Sequence, residues 1–174
     1  MSGKWQQPSL LPSTQAAAKL LSVDDDHTPE SDEATCPAFG YLRNVHDRAQ
    51  AVEFRFRDGN SDFFPYSWVG PWRYNPSVGL LLKFTGDVVT LVLILGSKLT
   101  AAVNQGAANL TDGGLQRHRI TWVREMDDAE LKRVGDAGPT IDRIEVAEFE
   151  TVDEQYQWLA KTAPVFVRRA LING

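Results

Sequence analysis

Cysteine is nearly missing from this chain, which has one in 174 residues, Cys36, so no internal disulfide can form and a secreted, cross-linked scaffold is excluded. The three histidines, His27, His46 and His118, lie far apart in sequence, without the close ligand spacing of a zinc module. Neither common glycine-rich phosphate loop occurs, nor a Gly-x-Ser-x-Gly nucleophile elbow. No cofactor or metal is therefore expected. Excess positive charge is also lacking: 18 Lys and Arg stand against 23 Asp and Glu, for a net charge of −5. That balance argues against a broad polyphosphate-binding surface but leaves room for a local basic patch. The longest apolar run, Val88 to Leu95, is far shorter than the roughly 20 residues that cross a bilayer, and Leu10-Leu11 is cut off by Pro12 before a signal-peptide core can form. The reading predicts a cytoplasmic protein without a membrane helix.

What is present is patterned as β structure behind a polar leader. Residues 1–38 are rich in Ser, Thr, Gln, Pro and acid, with Asp24-Asp25-Asp26 followed by Glu30, Asp32 and Glu33. Such a segment buries too little apolar surface to offset its ordering entropy, so a flexible acidic tail is expected, with one short helix possible at Thr14–Leu21. A single β-rich domain is expected over 39–174, with its core in 51–126 and an extension in 127–174.

Val52, Phe54 and Phe56 alternate with Glu53, Arg55 and Arg57, the period of a half-buried strand, and Asp58-Gly59 supplies a tight turn. The return run Phe63 to Val69 contains Pro65, which removes a ladder donor and favours an edge or a bulge. Gly79–Phe84, Thr85-Gly86-Asp87 and Val88–Leu95 read as a hairpin whose strands do not alternate, so both faces should be buried. The second face must then meet a helix, another sheet or another subunit. Leu99–Gly106 reads as a weak helical turn, and Arg117–Met126 as a strand with Ile120 and Trp122 on one face and Arg119, Thr121 and Val123 on the other. Asp127–Arg133 reads as a short capped helix, Thr140–Phe149 as a further strand, and Thr151-Val-Asp-Glu154 as a capping box opening a helix to about Ala163. Val165–Ile172 can continue as helix or close as strand.

Two groups of residues are candidates for ligand or partner contact. Six aromatics and three prolines crowd into residues 61–76. These six, Phe63, Phe64, Tyr66, Trp68, Trp72 and Tyr74, could stack on a ligand or anchor an interface, although rings in a small domain more often pack a core. Arg55, Arg57, Arg117 and Arg119 could form a phosphate-binding face, against the alternative of a solvated strand face paired to Glu53 and Glu125. His118, Arg124 and Glu125 are the charged group to test for catalysis.

Five short strands with a central Gly86-Asp87 turn, Gly96 after an apolar strand and a last Ile120-Thr-Trp-Val123 strand resemble a small SH3-like or Sm-like barrel. Residues 79–125 are also similar to bacterial domains of that general type that carry no assigned function. The resemblance implies a mainly β, antiparallel barrel with short C-terminal helices. In Sm-like proteins an Ile-Arg-Gly signature follows the fourth strand and helps bind RNA; here Ile94-Leu95-Gly96 replaces the arginine by leucine, and the Asp-x-x-Met-Asn element is missing. The RNA site is not carried over.

The function expected is a non-enzymatic protein-interaction module that self-associates as a dimer or ring. Its interface should centre on Trp68, Trp72 and a Val88–Leu95 edge. An Sm-like RNA-binding module and a small enzyme are the alternatives.

Overall fold

The computed structural model describes residues 33–167; the first 32 residues of the expected 1–38 tail, its helix at Thr14–Leu21, and everything after Val167 lie outside the described residues. Nine strands are formed: β1 (Glu33–Thr35), β2 (Phe39–Leu42), β3 (Ala51–Arg55), β4 (Ser61–Pro65), β5 (Arg73–Asn75), β6 (Gly79–Thr85), β7 (Val89–Ser97), β8 (Ile120–Arg124) and β9 (Thr140–Phe149). Two α-helices, α1 (Asp128–Val134) and α2 (Val152–Thr162), follow β8 and β9. The protein is mainly β, with one sheet in the order β1-β2-β8-β3-β4 and another in the order β5-β6-β7-β9. Every pairing is antiparallel except β3 with β8. Both ladders are open, and neither closes into a barrel among the described residues. No helix there is long and apolar enough to cross a membrane.

The main core is where the sheets face each other. Phe39, Tyr41, Val52, Phe54, Phe64, Ile120 and Val123 of the first sheet meet Leu80, Leu82, Phe84, Val92, Ile94 and Ile141 of the second. β structure thus starts ahead of the expected Ala51, since β1 pairs with β2 and Phe39 is wholly buried. The polar composition of residues 33–38 hid this, because a short strand needs few apolar residues once its neighbour supplies the core contact.

β7 explains why Val88–Leu95 does not alternate. Val92 and Ile94 enter the core between the sheets, whereas Leu91 and Leu93 point outward with Leu81 and Phe149 into a second cluster. That cluster is closed by Trp158 and Leu159 of α2 and by Ala163 and Phe166 just beyond it. At roughly 1.5–3 kcal/mol per fully buried large apolar side chain, the cluster is ample reason for α2 to dock. β7 is hydrogen-bonded to β6 on one side and β9 on the other, so the expected Val88–Leu95 edge is a central strand. Gly96 sits at the bulge in the β7–β9 ladder, beyond which Gly96 still pairs with Ile141 and Ser97 with Thr140, and a Cβ there would overlap the Thr140 carbonyl oxygen.

Three local expectations are met by identifiable contacts. Asn60 N donates to Asp58 Oδ1 and Gly59 has φ +90°, giving the β3–β4 turn. β4 is an edge strand, as Pro65 favours. Asp127 and Thr151 each form a full capping box, with Glu130 and Glu154 respectively. Leu99–Gly106 departs from expectation: it is a run of turns, not a helix, held by the buried Leu99 and by Asn104, which donates to Tyr41 Oη and accepts from Ala108 N.

Candidate interaction face

The side of the first sheet that looks away from the core is built from one cross-strand row, Phe63–Glu53–Trp122–Gly40–Thr35, and a second, Ser61–Arg55–Arg124. Trp122 reaches this face through a register shift opposite Gly40 and Tyr41. Tyr41 pairs with Ile120 and Gly40 with Trp122, so Thr121 is an extra residue and the alternation changes phase. Ile120 and Val123 therefore both enter the core while Trp122 turns outward, which corrects the expected common face for Ile120 and Trp122.

The indole lies against Gly40. A Cβ at that position would overlap Trp122 Nε1 and come within 2.7 Å of Cε2, so only glycine admits the ring there. Above it the Arg55 guanidinium sits 4.6 Å from the ring centroid, a cation–π contact. Arg55 Nη2 is 2.7 Å from Glu53 Oε2, and Ser61 Oγ donates to Glu53 Oε1 at 2.8 Å. The Arg55 hydrogen bond is the main reason that the Glu53 carboxyl titrates below its ordinary range. Thr121 donates to Glu33 at the other end of the row. Phe63 stands at the edge, 66% exposed.

No helix lies across this face among the described residues; α1 meets its rim, where Glu130 pairs with Arg124 and Asp128 with Arg57. A 250 Å³ cleft at that rim is lined by Arg55, Arg57, Arg124, Glu125 and Glu130. Its arginines already have acidic partners, and the Arg124 hydrogen bond is the leading cause of a lowered Glu130 pKa. Glu125 is a clamp: Oε2 accepts from Arg57 N and Oε1 from Ile144 N, each at 2.8 Å, tying the first sheet to β9 of the second.

The four arginines proposed for phosphate do not come together. Arg119 is 3% exposed and spends its guanidinium on the carbonyls of Leu42, Arg43 and Gly113. Arg117 is exposed in the 3₁₀ turn before β8. The Ala49 N to His118 O bond places this end beside residue 49, about 20 Å along the chain from Arg55. The same span separates His118 from Arg124 and Glu125, so those three form no site. His118 instead stacks on Tyr66, with centroids 4.5 Å apart.

The aromatic group divides likewise. Phe64 stacks on Phe84 at 4.5 Å inside the core, and Tyr66 is buried with its hydroxyl donating to the Ile120 carbonyl, burial raising its pKa. Trp72 and Tyr74 are half-buried against the same core. Trp68 is 43% exposed and lies against Gly86. Sequence reasoning named Arg55 and included Phe63 among the candidate aromatics, but missed Trp122. The available signal was Trp122 in a strand whose neighbours include Arg124, but an unseen bulge put it on the wrong face.

No family model, no curated protein and no solved structure matches this chain.

Proposed function

We propose that this chain is a non-enzymatic protein-interaction module that associates with a second copy of itself through the open face of the five-stranded sheet. The observation that carries the reading is the exposed Phe63 beside the Arg55–Trp122 pair on a sheet face that no described helix crosses, when the outer face of the other sheet is covered by α2. Tryptophan, arginine and phenylalanine are the side chains that anchor interfaces. The charges of the patch are matched within it, Arg55 by Glu53 and Arg124 by Glu130, so a second copy set against it across a two-fold axis meets no unpaired charge of these residues. Covering of the Leu81, Leu91 and Leu93 cluster by α2 removes the original reason to place the interface there.

Face contact is favoured over strand addition at β4. Tyr66 N bonds Gln50 O and Phe56 N bonds Asn60 O, so the even residues of β4 serve the β3 ladder and the odd ones face outward. Pro65 then presents no donor at that edge, which blunts it. The small-barrel resemblance is compatible with this reading but supplies no site.

Light scattering coupled to size exclusion at tens of micromolar tests it. The wild type elutes as a dimer and Phe63→Asp as a monomer with an unchanged far-ultraviolet circular dichroism spectrum; a monomeric wild type overturns the proposal.

A further inference from the structure

A separate cavity lies under α2 on the outer side of the second sheet. It has a volume of about 260 Å³ and is lined by Pro71, Arg73, Leu81, Lys83, Leu91, Gln155 and Leu159. Strand register explains the composition. Arg73 is the cross-strand partner of Leu81, and Lys83 that of Leu91, so two cations and two leucines share one face of β5, β6 and β7.

The leucines are buried and form an apolar floor. Over it the charge is of one sign. Among the described residues neither Arg73 nor Lys83 has an ion-pair partner, and Arg73 donates to the Phe166 carbonyl, leaving most of its five N–H groups for other acceptors. Glu145, at the far end of the Arg73–Leu81–Leu93 row, is three strand spacings or about 14 Å away, and it is paired with Arg143 at 3.3 Å. Gln155 adds an amide from the helix side.

We infer that this cavity binds a small carboxylate with an apolar body, its head between Arg73 and Lys83 and its tail on Leu81, Leu91 and Leu159. A fixed guanidinium and a free ammonium over an apolar floor complement such a ligand in both charge and hydrophobicity. At roughly 30 Å³ per water-sized unit the cavity admits about nine non-hydrogen atoms, the size of a short acyl carboxylate. The inference is independent of the proposed interface, which lies on the other sheet.

Octanoate is the probe, titrated into the full chain by calorimetry beside octanol and octylammonium. The expected result is saturable octanoate binding, about tenfold tighter than octanol, weakened by salt, and reduced about tenfold in Lys83→Gln with unchanged melting. No saturation by about 10 mM, or equal binding of the three probes, overturns the inference. Wild-type levels of octanoate binding in Lys83→Gln overturn it too. Should that variant fail to fold, the three-probe comparison on the wild type decides alone.

Discussion

Gly40 shows how one missing side chain shapes the candidate face. Because a Cβ there would overlap the Trp122 ring, Gly40→Ala must displace the indole from under Arg55. The variant is expected to lose about 1–3 kcal/mol in denaturant unfolding and to shift tryptophan emission as the ring moves. Glu125 acts at the same scale as a link between sheets. Glu125→Gln puts an amide nitrogen opposite a backbone N–H that now donates to a carboxylate oxygen, and about 1–3 kcal/mol of stability should be lost in urea unfolding. Glu53 contributes a pH dependence. Its folded pKa is lowered, chiefly by the Arg55 hydrogen bond, so its stabilising effect is present above the ordinary carboxyl value and is lost as pH falls through the lowered folded value. In Arg55→Gln the Glu53 carboxyl midpoint should rise toward the ordinary value in a carbon-detected titration, and the acid limb of the stability curve should flatten.

Among the elements, α2 has the clearest task, since it closes the outer face of β6, β7 and β9. Its start depends on Thr151, whose hydroxyl accepts from Glu154 N while Glu154 accepts from Thr151 N. Thr151→Ala is expected to cost about 1 kcal/mol and to increase dye binding to the uncovered leucine cluster near the midpoint of unfolding. Unchanged stability would mean that Trp158 stacked edge-on against Phe149, at 5.7 Å, suffices to hold the helix. The β8 strand offers the complementary lesson. One extra residue at Thr121 decides that Trp122 faces solvent, and a propensity scan assigns no cost to it.

For the whole molecule the distribution of arginines is more telling than their number. Arg55 and Arg57 sit near one end of the β3–β8 pair and Arg117 and Arg119 at the other, with Arg119 buried. Without a shared phosphate-binding face, labelled single-stranded RNA titrated at low salt is expected to show no saturable binding at micromolar protein. A salt-sensitive micromolar complex would bring the nucleic-acid reading back.

Local chemistry alone determined the elements that depend on neighbours in sequence: the Asp58-Gly59 turn, the hairpin over 79–95 and the two capping boxes that open α1 and α2. The apolar run of β7, interrupted only by Thr90, likewise required two covered faces, because strand side chains alternate and neither side had a charged residue to meet water. Tertiary structure decided what covers them. It placed sheet one on one side and α2 on the other, a choice that depends on contacts between residues dozens of positions apart. It also recruited residues 33–42 to the first sheet, set β3 parallel to β8, and separated Arg55 from Arg119. The candidate face was legible only as single residues, because the row Phe63–Glu53–Trp122–Gly40 exists through long-range register and a bulge, and neither leaves a periodic trace in sequence.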